Sequence, residues 1–178
     1  MLRGEQVQLR PRTAADADVL YELAADLDSW EEREPGAPRP LTREEYDERF
    51  ARRQTDPGTD QTWVVEHDGR VAGFVGLFGV DPLARSAEVG IALLAEARGR
   101  GLGTDALRVL VEFAFTRLNL RRVHLRTLAV NTAALTSYAR VGFVEEGRLR
   151  QRAWVRGEYG DEVLMGLLRE DRPERSGG

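Results

Sequence analysis

Arg98-Gly99-Arg100-Gly101-Leu102-Gly103-Thr104 is the segment whose residue types and spacing best suit chemistry. Its glycines let the main chain approach a ligand with no Cβ in the way. Before it runs Glu88-Val89-Gly90-Ile91-Ala92-Leu93-Leu94, which reads as a strand. After it Leu107, Leu110, Val111, Ala114 and Leu118 recur at the spacing of one helix face. A glycine turn that opens a helix aims several N–H groups at one point and adds the positive end of the helix dipole, so the pattern suits a phosphate. Glycine turns that merely join a strand to a helix are common, and the segment alone leaves both readings open. A dinucleotide site is the nearest rival, but Gly99, Gly101 and Gly103 do not follow the G-x-G-x-x-G spacing.

The elements that must position this turn can be read along the chain. Val7 to Arg10 reads as a first strand, stopped by Pro11. Thr13 caps a helix carrying Val19, Leu20, Leu23 and Leu27, with Asp16 in its first turn. Trp30 to Pro40 reads as a charged, proline-rich loop. Thr42 and Glu45 form a capping box for a short helix through Phe50, with Leu41 and Tyr46 as a staple. Thr62 to Glu66 and Val71 to Val80 read as a hairpin closed by Asp68-Gly69, and Asp81-Pro82 marks a further turn. The strand through Glu88, the glycine turn, its helix and the strand Arg122 to Val130 make a crossover unit, which predicts a parallel, right-handed pair. Asn131 to Val141 reads as a helix ended by Gly142, followed by strands at Phe143-Val144 and Val163 to Met165 with a turn near Gly157. The expected organisation is a single domain over residues 1–168 and a polar tail, residues 169–178, that frays.

The 178 residues are 42% apolar and 31% charged, the composition of a globular domain with a real core. No apolar run reaches the length of a membrane span, and Met1 to Gln6 lacks the core of a signal peptide, so the expected location is cytoplasmic. The chain has no cysteine, which excludes disulfides, thiolate metal sites and a cysteine nucleophile. With only His67 and His124, no metal site is expected. The net charge of −4 argues against nucleic acid and suits a cationic substrate.

The strand ending at Leu93, the run Arg98 to Gly103, then Asn131, Tyr138 and Gly142-Phe143 resemble the GCN5-related N-acetyltransferase (GNAT) superfamily. The order of elements is similar from about Val7 to Leu168. Gly147-Arg148-Leu149-Arg150, Gly157, Asp161 and Leu168 are similar to the branch that holds ribosomal-protein N-terminal acetyltransferases and many enzymes acting on small amines. Ala95 departs from the pattern, standing where many members have proline.

The resemblance implies an α/β fold: a mixed, mostly antiparallel sheet with one splayed parallel central pair, flanked by helices on both faces. It implies acetyl-CoA as cosubstrate, held in the gap between the strands ending at Leu93 and at Val130. The cofactor-binding residues so implied are Leu93, Leu94, Arg98, Gly99, Arg100, Gly101, Leu102, Gly103, Thr104, Asn131 and Ser137. The implied reaction is direct attack of a primary amine, small-molecule or protein N-terminal, on the thioester. Alternatives are a non-catalytic acyl-CoA-binding module and a transferase of longer acyl groups. A homodimer is expected, and no nucleic-acid or membrane partner.

An amine of pKa near ~10.4 must lose a proton before it attacks. Glu88 is the candidate base, sharing a strand face with Gly90 and Ala92; its plain alternative is pairing with Arg85 or another arginine. A backbone N–H near Leu93 or Leu94 would stabilise the oxyanion. Tyr138, placed by the resemblance, is the candidate acid for the leaving thiolate; its plain alternative is core packing. Trp30, Glu31, Glu32 and Arg33, and Trp154 with Tyr159, are expected to line the acceptor site, against a hydrated loop and a packed hairpin. His67 is expected in solvent and His124 as a satisfied structural histidine. Arg121, Arg122 and Arg126 read as a solvated strand edge.

Overall fold

The computed structural model describes residues 1–28, 39–55 and 58–172. Its elements are β1 (Leu2–Arg3), β2 (Gln8–Arg10), α1 (Ala17–Ala25), α2 (Arg43–Thr55), β3 (Gln61–His67), β4 (Arg70–Asp81), β5 (Ser86–Leu93), α3 (Leu102–Thr116), β6 (Arg122–Leu128), α4 (Thr132–Val141), β7 (Val144–Val155) and β8 (Glu158–Leu168). The eight strands form one sheet in the order β1-β2-β3-β4-β5-β6-β8-β7. Every neighbouring pair is antiparallel except β5 with β6.

Local chemistry sets the boundaries. Asp68 (φ 49°) and Gly69 (φ 71°) are both left-handed, the geometry that closes a two-residue hairpin between β3 and β4. Arg156 (φ 50°) and Gly157 (φ 89°) do the same between β7 and β8. After β4 the Asp81 carboxylate accepts the N–H groups of Leu83 and Ala84, which fixes the turn into β5. Thr42 and Glu45 form the expected capping box, but α2 runs past Phe50 to Thr55. At Thr13 the main acceptor is the Asp16 carboxylate, which takes the Thr13 N–H at 2.7 Å. Arg10 binds both oxygens of Asp16 and also Glu66, and the Arg10 bonds, helped by those from Thr13, hold the Asp16 carboxyl far below the usual carboxylate range. Helix α1 ends at Ala25, which leaves Leu27 exposed rather than on an apolar face.

The sheet has two differently covered faces. Val75, Leu77, Ala87, Val89, Val123, Leu125, Val163, Met165 and Leu167 pack with Leu107, Leu110, Val111, Ala114 and Phe115 of α3 in one large core. Strand alternation puts Val64, Ala92 and Leu128 on the opposite face, where they are buried along with Leu20 and Leu23 of α1. Burying a leucine or valine stabilises by about 1.5–3 kcal/mol, so the α3 face dominates the core energetics.

Three expectations change. Strand β6 is interior, between β5 and β8, so Arg122 and Arg126 are not on a sheet edge; Arg122 pairs with Glu146 and Arg126 with Glu88. Strands β7 and β8 run far beyond the apolar fragments expected at Val144 and at Val163 to Met165, because β7 is mostly exposed and carries few apolar residues. Arg169–Asp171 form a 3-10 turn, Arg169 bonds Phe115 O, and Arg172 reaches Glu112 at 2.8 Å, so residues 169–172, the described part of the segment expected to fray, are tied to α3.

Candidate active site

The parallel ladder between β5 and β6 is short. Ser86, Ala87 and Glu88 pair with Arg122, Val123 and His124, and there the pairing stops although β5 continues to Leu93 and β6 to Leu128. Leu94 N–H donates to Ala72 O at 2.9 Å, which sets the phase of the β4–β5 ladder. In that phase Gly90 and Ala92 exchange bonds with β4, while the backbone groups of Ile91 and Leu93 face the gap left by β6. Arg98 Nε takes up the Leu93 carbonyl at 3.0 Å. The gap therefore presents strand-like N–H and C=O groups that a ligand carrying amides can complete.

At the end of β5 the chain passes through a short 3-10 turn, Ala95–Ala97, and enters the glycine segment. Gly99 (φ 72°) and Gly101 (φ 82°) are left-handed, and Gly101 is the N-cap of α3. That conformation is cheap only for glycine and turns the amides at the head of a 15-residue helix outward. Asp105, one turn into α3, faces away from this point. Its buried carboxylate accepts the N–H groups of Glu5, Gln6 and Val7 at 3.1, 2.7 and 3.0 Å, pinning the N-terminal segment onto the helix.

One cleft of about 1240 Å³ joins the glycine turn to the opposite face of the sheet through the gap. Of the sequence-derived candidates, Glu88, Leu93, Arg98, Gly99, Gly101, Gly103, Thr104, Asn131, Ser137, Tyr138 and Tyr159 line it. Leu94, Arg100, Leu102 and Trp154 do not. The Leu94 amide is committed to Ala72, so Leu94 cannot be the oxyanion donor; the phase of the ladder leaves Leu93. Leu102 is a core residue, and Arg100 leans onto His67 Nε2 at 3.1 Å. His67 is thus not simply solvated: its Nδ1 also meets Gln6 O at 2.8 Å. Trp30, Glu31, Glu32 and Arg33 lie outside the described residues.

Asn131 Oδ1 caps α4 by accepting Ala134 N–H at 3.2 Å, so Asn131 is first of all a helix cap that also faces the cleft. Further along α4, Tyr138 is buried in the α3-side core with its ring edge-on to Phe143 at 5.9 Å, and it borders the cleft. The plain alternative of core packing is therefore realised, by a ring that also borders the cleft. Trp154 and Tyr159 face each other across the β7–β8 hairpin at 4.8 Å and are largely exposed; only Tyr159 reaches the cleft.

The far side of the cleft holds residues that the sequence reading missed. Glu88 lies where the ladder ends, not at the end of its strand. Its carboxylate meets Arg126 Nε at 3.1 Å, so the plain alternative of an arginine partner is realised with Arg126 in place of Arg85. Arg126 Nη1 also stands 3.8 Å from Glu162, a carboxylate only 2% exposed. Glu162 was legible only as a charged residue beside an apolar triplet; recognising it needed the full extent of β8. His124, directly opposite Glu88, has a buried Nδ1 with no hydrogen-bond partner, so it is not the satisfied histidine expected. Burial lowers its pKa from the ordinary value, against a smaller opposing pull from Glu88.

The chain matches the acetyltransferase (GNAT) domain family over residues 6–144. It is 30% identical over 168 residues to spermidine N(1)-acetyltransferase of Escherichia coli K12, covering 93% of this chain and 87% of that protein. It is 34% identical over 105 residues to a putative ribosomal N-acetyltransferase of Bacillus subtilis, covering 59% of this chain and 57% of that protein. The fold superposes on the crystal structure of spermidine N-acetyltransferase from Vibrio cholerae in complex with CoA and spermine with a TM-score of 0.83 at 26% identity, covering 93% of this chain and 97% of the other.

Proposed function

Because the chain belongs to the GNAT family and is an acyl-CoA-dependent N-acetyltransferase, we propose that its acceptor is a small amine carrying more than one positive charge. The observation that supports this most is the cleft itself. It connects an anion-binding turn on one face of the sheet with the carboxylates of Glu88 and Glu162 on the other. The relatives named for spermidine acetylation support the same acceptor class.

The residues fit acetyl-CoA. The amides at Gly99 to Thr104 suit the diphosphate, and the open backbone groups of Ile91 suit an amide of the pantetheine arm. Such a fit brings the thioester into the gap. An acceptor amine approaching from the Glu88 side gives a proton to that carboxylate, directly or through water. Its nitrogen then bonds to the thioester carbon, the Leu93 N–H supports the oxyanion, and the C–S bond breaks. The tetrahedral nitrogen loses its extra proton to water, Tyr138 gives its proton to the departing thiolate and recovers one from solvent, and Glu88 releases the one it took, so one acetylated amine, one CoA thiol and one proton leave. Self-association into a homodimer is part of the proposal. Exposed Val144 and Leu149 on the edge strand β7 support it, and sedimentation velocity tests it.

The test is thiol release from acetyl-CoA with butylamine, 1,4-diaminobutane, spermidine and a peptide with a free N-terminus. The proposal expects release with the diamine and spermidine well above butylamine and the peptide. Release confined to the peptide would replace it with protein N-terminal acetylation, and tight acetyl-CoA binding without release on any amine would replace it with a binding module.

A further inference from the structure

Glu162 presents a problem of charge. It is 2% exposed, and its cross-strand neighbours are Leu128 on one side and Leu149 on the other. A carboxylate so placed requires a cation. Arg126 supplies one, but its Nη1 stops at 3.8 Å, well beyond the 2.7–2.9 Å of a charge-assisted hydrogen bond. The same guanidinium is drawn the other way by Glu88, which holds Nε at 3.1 Å. Arg126 thus spans two carboxylates from strands on either side of β6 and holds the buried one at ion-pair rather than hydrogen-bond distance. It is also half exposed, so it can swing into water at little solvation cost.

Resting on the acceptor class proposed above, we infer that Arg126 is a built-in stand-in for the acceptor: it covers the site that a non-reacting ammonium of the substrate takes, and Glu162 is the carboxylate that holds that ammonium. An ammonium is smaller than a guanidinium and can approach Glu162 to hydrogen-bond distance. Its arrival displaces Arg126, and Glu88 loses its internal partner at the moment a second amine lies beside it. A monoamine cannot do both. Arg126 is then a specificity residue that sets how strongly a second charge is rewarded.

The experiment is calorimetric titration of the CoA-saturated protein with 1,4-diaminobutane and with butylamine, which needs no turnover. Wild type is expected to bind the diamine more tightly. Arg126→Met removes the competing cation and is expected to increase the diamine-to-monoamine affinity ratio by about fivefold, the upper range for breaking a partly exposed ion pair. Arg126→Lys is expected to return the ratio toward wild type. Glu162→Gln is expected to bring the ratio to about one, since only a charged anchor distinguishes the two ligands. Arg126→Met/Glu162→Gln carries no orphaned buried charge, which protects the fold, and is expected to match Glu162→Gln. An unchanged ratio in Arg126→Met, or a diamine preference surviving Glu162→Gln, overturns the inference. Loss of acetyl transfer with this binding pattern intact would instead overturn the proposed function.

Discussion

Glu88 and Tyr138 lie on opposite faces of the sheet yet border one cleft. They can serve a single reaction only through the gap where β5 and β6 part. The proposed mechanism gives them different halves of the chemistry, so their removal should have different signatures. Glu88→Gln should depress kcat/KM for amines at neutral pH and recover as pH rises toward the amine pKa, because solvent then supplies deprotonated acceptor. Tyr138→Phe should leave acetyl-CoA affinity intact and lower kcat by about tenfold, modest because a thiolate of pKa near ~8.5 leaves without much help. The pH profile of steady-state rates checks both. A Tyr138→Phe enzyme with wild-type kcat would leave the ring a packing group against Phe143 alone.

Gly101→Val should weaken CoA binding more than it weakens the fold. At φ 82° a β-branched residue is strained by about 1–2 kcal/mol, and the added atoms stand among the amides that a phosphate needs. The fold has room, since a Cβ there meets only Gln6 Nε2, at 3.4 Å. Gly79 supplies the control. It is left-handed at φ 56°, a Cβ on it would point into open space, and it does not line the cleft. Gly79→Val should cost similar stability in a urea melt and leave CoA affinity unchanged. Equal losses of affinity in both variants would show that strain, not the cradle, is responsible.

The path from sequence to site was uneven for physical reasons. The strand, glycine turn, helix and strand around Gly101 were legible because periodicity and glycine placement are local signals. The capping box at Thr42, the Asp68-Gly69 hairpin and the Gly142 cap were legible for the same reason. Arg126 and Glu162 were not, because their meaning depends on register. Only the pairing of Leu128 with Glu162 and of Glu88 with His124 brings three strands' charges together. The extent of strand β7 beyond Val144 was missed because its alternation is nearly all polar. Asp105 carries no local signal of its role, because its three amide partners sit about a hundred residues away.

Asp105→Ala should be among the more destabilising single changes in α3. It strands three backbone N–H groups of Glu5, Gln6 and Val7 around a site where the carboxylate is 5% exposed. Hydrogen bonds to a charged acceptor contribute about 1.5–3 kcal/mol each, but water can re-enter at the chain end, so a net loss of about 3 kcal/mol is expected. Asp105→Asn keeps one acceptor oxygen and should lose about half of that. Urea denaturation checks the pair. Because Gln6 also borders Gly101, the alanine variant should in addition bind CoA more weakly.

His124 makes stability depend on pH in a definite direction. Its ring is half-buried in β6, Nδ1 has no partner, and burial depresses its pKa in the folded state. Glu88 and Glu146 favour the charged ring, while Arg122 and Arg126 oppose it, and desolvation outweighs them all. The unfolded chain takes up this proton near the ordinary value of 6.5, and the folded chain only at lower pH. Between those two values the unfolded state binds more protons, so stability falls as pH falls. The contribution is fully present above 6.5 and is lost as pH drops through the folded-state pKa. Urea midpoints measured from pH 5 to 8 should decline on the acid side in wild type. His124→Gln should remove part of that decline while leaving the carboxylate titrations at lower pH in place. An identical pH dependence in the two proteins would mean that the ring is already protonated, or already solvated, in the native state.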